Sequence, residues 1–433
     1  MATQRDEQGD LCLGGVRLAE IARDARMGTP SYVYDLGAIA AEGRALTAAF
    51  EGAAHLVAYA VKANSAAPIV RVLAREGCGA DVVSGGELQL ALACGVAPEK
   101  IVYSGVAKTD DEIDQAIYAG DRGIDALQLE SVEELLRIDG RARASARRAR
   151  IAIRVNPGVE KDAVGTHSHV VTGHDEAKFG VAKDDIAAAL SLANRSKHLE
   201  LVGVSAHVGS QLLRTDPYVE AGRVVFDVAR AARERGATLE FVGTGGGFGI
   251  DYGNGRPQSP ADFVRAIRAE QRAAGLGDLA LHVEPGRSLV AAHGVLLARV
   301  IQTKRTPHAS ESPERAWLII DAGMNDLIRP ALYQARHRIV PLEATRRELR
   351  SYRVVGPVCE SSDDFGEHPD LADAGFVAIL DAGAYGYTMA SRYNGRPLPA
   401  EVFIRDGKVV AITERAAPDA WVNGRLRTTE RSG

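Results

Sequence analysis

Several features that mark whole classes of protein are scarce or missing from this sequence. Only 4 of its 433 residues are cysteine. Cys12, Cys78, Cys94 and Cys359 lie far apart with no paired spacing, which argues against a disulfide scaffold or a structural zinc and for a reducing compartment. The 11 histidines include His167-x-His169 but no H-E-x-x-H pattern, so no metal site is expected. No apolar run is long enough to span a bilayer. Met1–Asp10 is polar where a signal peptide would carry an apolar stretch, so a cytoplasmic location is expected. Low-complexity segments are absent. The net charge of −5 is too mild to point to nucleic acid or to an acidic ligand surface. The one basic cluster is Arg141, Arg143, Arg147, Arg148 and Arg150; interleaved with alanine, it reads as a solvated helix face.

What the chain does have is 46% hydrophobic residues, enough for a large core, and a length that fits two domains. Strand and helix patterns alternate through its first two thirds. Eight strand patterns can be counted, from His55–Lys62 and Ala80–Ser84 to Leu201–His207, Leu239–Val242 and Leu279–Glu284, and each gap but the last holds a helical pattern. Thr109-x-x-Glu112 and Ser131-x-x-Glu134 read as capping boxes. Eight such repeats predict an α/β fold, a (β/α)8 TIM-type barrel, in preference to an open doubly wound sheet. Beyond a helix-like Leu289–Leu297 the texture turns to strands, ending in a pair joined by Asp406-Gly407, a strong hairpin signal. The expected domains are a barrel over 31–290 and a C-terminal β domain over 291–433 that the N-terminal segment 1–30 joins.

Chemistry in a barrel collects at the carboxyl ends of the strands. Those ends carry Lys62, Asp81, Arg154, His207, a glycine run and Glu284 with Arg287. Lys62 ends an apolar strand; a salt bridge and a Schiff-base lysine are both open readings. Gly245-Gly246-Gly247 follows strand seven, where barrels cradle phosphates on backbone N–H groups; a flexible turn is equally open. The run fits neither G-x-G-x-x-G nor a Walker loop. A phosphate that is not a nucleotide's, beside a strand-end lysine, suggests pyridoxal phosphate. Glu284 could then stabilise the protonated ring nitrogen. His207 could stack on the ring or be a hydrogen-bonded core histidine. Residues 157–181 have no helical or strand period and read as an active-site flap.

Tyr59-Ala60-Val61-Lys62-Ala63-Asn64, His207-Val208-Gly209-Ser210-Gln211, Gly245-Gly246-Gly247-Phe248-Gly249, Glu284-Pro285-Gly286-Arg287, Gly356-Pro357-Val358-Cys359-Glu360 and Gly383-Ala384-Tyr385 together resemble the fold-type III pyridoxal-phosphate decarboxylases. The resemblance runs from about Gly28 to Arg396. Within that family, Asp326–Tyr333, His167–Gly180 and Cys359-Glu360-Ser361-Ser362-Asp363 resemble a branch whose substrate carries a second carboxylate far from the reacting centre. The resemblance implies catalytic roles for Lys62, as the cofactor's attachment point, and for Cys359, as a proton donor. It implies cofactor contacts from Lys62, Asp81, His207, Ser210, Gly245, Gly246, Gly247, Glu284, Gly286, Arg287 and Tyr385. Arg287, Arg329, Tyr333, Glu360 and Tyr385 would bind the substrate. It also implies a homodimer with composite active sites, Cys359 and Glu360 reaching into the partner subunit. Two positions depart from the branch pattern: Ser362 replaces a glycine, and Ser205 stands where a second histidine is frequent. They keep open a substrate of another kind, such as an ornithine-like or D-amino acid.

Overall fold

The computed structural model describes residues 3–158, 177–253, 255–306, 315–344, 350–371 and 374–427. They fall into two compact units. One is Ile39–Asp251 with Gly255–Leu289; the other is Met1–Ala38, Tyr252–Asn254 and Val290–Gly433.

The first unit is a closed barrel of eight parallel strands. In chain order they are β1 His55–Ala60, β2 Gly79–Val82, β3 Ile101–Tyr103, β4 Ala126–Leu129, β5 Ala149–Arg154, β6 Leu199–Ser205, β7 Phe241–Gly243 and β8 Ala280–Val283. β8 returns to β1 in the register Leu281↔His55 to Val283↔Val57, which closes the ring. The strands are mostly apolar on both faces because one face lines the interior and helices cover the other. Helices at Ala67–Arg75, Gly85–Ala93, Asp110–Tyr118, Val132–Ala144, Ile186–Arg195, Asp216–Glu234 and Pro260–Ala273 connect them. In Ala67–Arg75, Pro68 occupies the first turn and Ile69, Val70, Val72 and Leu73 are buried, as an amphipathic stripe requires. Phe241 fills space inside the ring, and a Cβ on Gly203 would lie 2.4 Å from its ring.

Four sequence expectations need correction here. β1 stops at Ala60, and Lys62 sits in a single 3₁₀ turn, Val61–Ala63, which lifts it onto the barrel rim. The last gap does hold a helix, Pro260–Ala273, opened by a reciprocal capping box of Ser259 and Asp262; an aspartate in place of the usual Glu/Gln hid it. The Thr109/Glu112 box is reciprocal. Ser131 does accept from the Glu134 N–H, but the Glu134 carboxylate turns instead to the Glu130 N–H and Lys108. Arg150 is not on a solvated helix face. It lies in β5, 8% exposed, and pairs with Glu240 at 2.7 Å.

The second unit is built on a long strand, Gly294–Thr306, antiparallel to Arg315–Ile320, Phe376–Ile379 and Ser31–Asp35. The strand Ser31–Asp35, which the sequence boundary put at the head of the barrel, therefore belongs to this mixed sheet. It also pairs in parallel with Ala400–Arg405. That strand forms a hairpin with Lys408–Thr413, and both turn residues, Asp406 (φ 51°) and Gly407 (φ 72°), take the left-handed backbone that a two-residue hairpin needs. Leu289–Leu297 is not a helix. Short turns at Arg287–Val290 and Ala291–His293 give way to strand at Gly294; a short, mostly apolar run cannot by period alone choose helix or strand. Leu11, Leu13, Leu18 and Ile21 share one core with Val33, Val295, Leu297, Leu380, Val402 and Ile404.

Glu401 is buried on this sheet at 4% exposure, and burial pushes its carboxyl up to about 7. Between about pH 4.5 and 7 the folded protein then holds a proton that the unfolded chain has released, so stability falls as pH rises through that window. Glu401→Gln should gain up to about 3 kcal/mol over the parent on going from pH 5 to pH 8 in denaturant titrations.

Candidate active site

The carboxyl ends of the barrel strands surround a cavity of about 370 Å³. Lys62, Ser104, Arg154, Phe179, His207 and Glu284 are among its lining residues. Lys62 is held over the rim because the turn after β1 is tied down. Tyr59 donates its hydroxyl to the Asn64 carbonyl, and the Asn64 side chain accepts from the Ala66 N–H. Lys62 Nζ donates to Asp81 Oδ2 at 2.6 Å, and Ser104 donates to the other Asp81 oxygen at 2.6 Å. Asp81 is fully buried while the lysine side chain keeps 38% of its exposure. The salt-bridge and reactive-amine readings of Lys62 are thus compatible: a buried carboxylate aims an amine that still faces the cavity.

After β7, two strands round the ring from Lys62, lies a glycine backbone cradle. Gly245 (φ 69°) and Gly247 (φ 91°) take left-handed conformations, and side chains would collide there: a Cβ on Gly246 would lie 2.0 Å from the Glu284 carbonyl oxygen, and one on Gly247 2.2 Å from that of Gly209. The loop is pinned by Glu284 N–H to Gly245 O (2.9 Å) and Leu212 N–H to Gly247 O (2.8 Å). Beside it, Arg287 donates to Ser210 Oγ at 2.8 Å. Gly286 allows the next turn to sit against Ala60 and Ala63, where a Cβ would meet theirs at 3.1 and 2.9 Å. Bare glycine backbone with a buried guanidinium nearby fits a phosphate-sized anion.

Burial and neighbouring charge act on the two remaining barrel residues. The Gly246 N–H donates to His207 Nδ1 at 3.2 Å, which leaves the ring proton on Nε2. Burial, then the charges of Arg154 and Lys62, hold its pKa well below the ordinary value, so the ring is neutral at pH 7. Glu284 is 7% exposed. Burial and the Asp81 carboxylate push its pKa up to about 7, against the pull of Lys62, the Gln128 amide and Arg154.

Lys62, Asp81, His207, Ser210, Gly245, Gly246, Gly247, Glu284, Gly286 and Arg287 are therefore all on the barrel unit, while Arg329, Tyr333, Cys359, Glu360 and Tyr385 stand on the other. There, Arg329 is buried at 6% exposure in a one-turn helix, Arg329–Tyr333. It donates to His337 Nε2 at 2.8 Å, with His337 Nδ1 on the Leu380 carbonyl at 2.9 Å, and its guanidinium lies 4.8 Å from the Tyr252 ring centroid. Cys359 and Glu360 are exposed on a turn anchored by Asp363, whose carboxylate accepts from the Met324 and Val358 N–H groups at 2.6 Å each. Asn394 Oδ1 accepts from the Cys359 N–H, and Tyr393 donates to Glu360 at 2.5 Å. Ser362 donates to the other Glu360 oxygen at 3.2 Å. Tyr385 has a left-handed backbone (φ 56°) in a tight turn. Of the expected flap, 157–181, the part from 159 to 176, with His167, His169, Thr172 and Gly173, lies outside the described residues. At the described end of that segment, the Val181 N–H donates to the Arg154 carbonyl and the Gly180 N–H to Glu130.

Sequence reasoning missed Gln128, Glu130, Tyr252, His337, Tyr393 and Asn394. Gln128 had a legible signal, a lone amide in an otherwise apolar strand. The others depend on contacts between segments distant in sequence.

A closed barrel with a rim lysine, a glycine anion cradle and a buried carboxylate beside them defines a class, and comparison with known proteins gives it a name. Residues 36–291 match the family described as pyridoxal-dependent decarboxylase, pyridoxal binding domain, and the chain belongs to that family. It is 41% identical over 410 residues to the diaminopimelate decarboxylase of Pseudomonas aeruginosa, covering 94% of each chain. The crystal structure of Helicobacter pylori diaminopimelate decarboxylase complexed with L-lysine is 39% identical, with a TM-score of 0.84 over 92% of this chain and 97% of that one. The corresponding enzyme from M. jannaschii, in co-complex with L-lysine, is 36% identical with a TM-score of 0.88 over 98% and 97%. Similarity at this level places the chain in the diaminopimelate decarboxylase branch of the family.

Proposed function

We propose that this protein decarboxylates meso-2,6-diaminopimelate to L-lysine and CO2, using pyridoxal 5′-phosphate, as a cytoplasmic homodimer with composite active sites. The observation that carries the reading is that Lys62, His207 and Glu284 line one cavity, with the glycine turn packed against the Glu284 backbone, on a chain about 40% identical to diaminopimelate decarboxylases. When bound, the cofactor supplies a pyridinium ring that takes up the electron pair left by the departing carboxylate.

The chain's own residues do the rest. Lys62 Nζ holds the cofactor, with Asp81 aiming it. Gly245, Gly246 and Gly247, with Ser210, Gly286, Arg287 and Tyr385, hold the phosphate end. His207, neutral and fixed by Gly246, offers an uncharged ring face for stacking. Glu284 would partner the ring nitrogen and favour its protonated form. Arg287, Arg329, Tyr333, Glu360 and Tyr385 bind the far end of the substrate, where a guanidinium forks onto both oxygens of the second carboxylate. Leaving the reacting carboxylate without an ionic partner avoids stabilising it before it departs. Cys359, from the partner subunit, returns a proton from Sγ to the carbon that lost CO2.

Ser362 favours one rival reading, decarboxylation of a different amino acid, because it bonds to Glu360 in the segment assigned to substrate. A panel of amino acids assayed for CO2 release separates the two. Arg329→Met tests the distal-carboxylate role: KM for diaminopimelate should rise roughly 10- to 100-fold, the worth of a charge-assisted pair, with the cofactor's absorbance unchanged. An unchanged KM would remove Arg329 from the substrate site.

A further inference from the structure

Inside the barrel, a line of polar side chains runs up to Glu284, and the roles assigned above leave it unused. Gln128 lies in β4, Ser205 ends β6, and Glu284 follows β8. Alternate strands of a closed barrel contribute to shared interior layers, so these three meet although they are far apart in sequence. They are 2%, 1% and 7% exposed, and buried polar groups must find partners within the protein. Ser205 donates its hydroxyl to Gln128 Oε1 at 3.0 Å, and Gln128 Nε2 donates to Glu284 Oε1 at 2.6 Å.

The hydrogen bonds run in one direction. Because the serine hydroxyl occupies the amide oxygen, the amide NH2 is left facing the carboxylate. An NH2 group can only donate, so it favours the ionised carboxylate over the protonated one. Among the described residues, this is the hydrogen bond that the Glu284 side chain receives. The other groups acting here are Asp81 from β2, which opposes ionisation, Lys62 from the turn after β1 and Arg154 from β5, which support it, and Tyr218 from the outer helix Asp216–Glu234. Neutral His207 lies beyond β6. Arg154 is already paired to Glu130 at 2.7 Å, and Lys62 is committed to the cofactor. Gln128 is left as the direct support. Ser205, which departs from the branch's frequent histidine, thereby orients the amide.

We propose that Gln128 and Ser205 are positioning residues that hold Glu284 ionised, so that the ring nitrogen of the cofactor keeps its proton. The proposal rests on the pyridoxal-phosphate reading of the site.

The test uses purified protein loaded with pyridoxal phosphate carrying ¹⁵N in the ring, whose resonance reports protonation of that nitrogen independently of turnover. Gln128→Met keeps the volume and removes the donor. Its ring-nitrogen resonance should move toward the unprotonated position at neutral pH, the proton equilibrium shifting roughly 10- to 100-fold. kcat should fall in parallel while KM stays near the parent's, a split that looser packing alone would not give. Ser205→Ala should move the resonance the same way by a smaller amount, roughly 2- to 5-fold, and serves should Gln128→Met fail to fold. In a Glu284→Gln background, Gln128→Met should add nothing to the shift. Folded, loaded variants with the parent's resonance and pH profile would overturn the proposal alone. A parent that does not bind pyridoxal phosphate would overturn the reading of the site and the proposal with it.

Discussion

Lys62→Ala is expected to lose about a thousandfold or more in turnover, the scale seen when a residue that bonds covalently during catalysis is removed. The fold should survive, because Lys62 lies on a rim turn with its side chain 38% exposed and contributes little to the core. Asp81 loses one partner but keeps Ser104 at 2.6 Å. Borohydride treatment of the loaded parent, followed by digestion and mass spectrometry, should find the cofactor's mass on the peptide that contains Lys62. The variant should carry none. Cofactor mass on another lysine of the parent would show that the rim lysine is only the salt-bridge partner of Asp81.

Glu284→Gln should lower kcat by about 10²- to 10³-fold, as removal of one preorganised electrostatic partner does, while the cofactor still attaches through Lys62. A neutral amide cannot balance a protonated ring nitrogen. The same change has an opposite consequence for stability. With its pKa pushed up to about 7 by burial and Asp81, Glu284 in cofactor-free protein holds a proton that the unfolded chain releases near pH 4.5. Stability is therefore lost as pH rises from about 4.5 through 7. Cofactor-free Glu284→Gln should be more stable than cofactor-free parent at pH 8, with the difference closing toward pH 5 in thermal or denaturant unfolding. Equal stabilities at both pH values would mean that the carboxylate ionises freely. A residue that improves the site while it weakens the empty fold is what a functional position in a buried barrel should look like.

The barrel was legible because its signals are local. Each strand is a short apolar run, and each turn at its carboxyl end carries a polar residue, so eight repeats could be counted and Lys62, Asp81, His207 and Glu284 placed on one rim. Errors arose where local signals are silent. Period cannot tell that Leu289–Leu297 turns into a strand, because most of that run is buried and apolar whichever way it is wound. The Ser259/Asp262 box escaped a rule written for glutamate. Arg150 looked like surface because its partners, Glu240 and Asp125, lie 90 and 25 residues away. Ser205 looked like a clue to substrate, and only the closed ring shows its hydroxyl on Gln128, beneath Glu284. Arg329 was found by resemblance, but its neighbours His337 and Tyr252 have no sequence signature that ties them to it.

The most direct measurement is CO2 release and amino-acid product formation by the purified protein with pyridoxal phosphate, on meso-diaminopimelate, ornithine, arginine and lysine in parallel. The predicted result is stoichiometric CO2 and L-lysine from diaminopimelate, with kcat/KM at least about 10³-fold above the others, since a substrate lacking the second carboxylate forgoes the charge-assisted hydrogen bonds that the site is built to make. No CO2 from diaminopimelate, or faster release from ornithine, would contradict it.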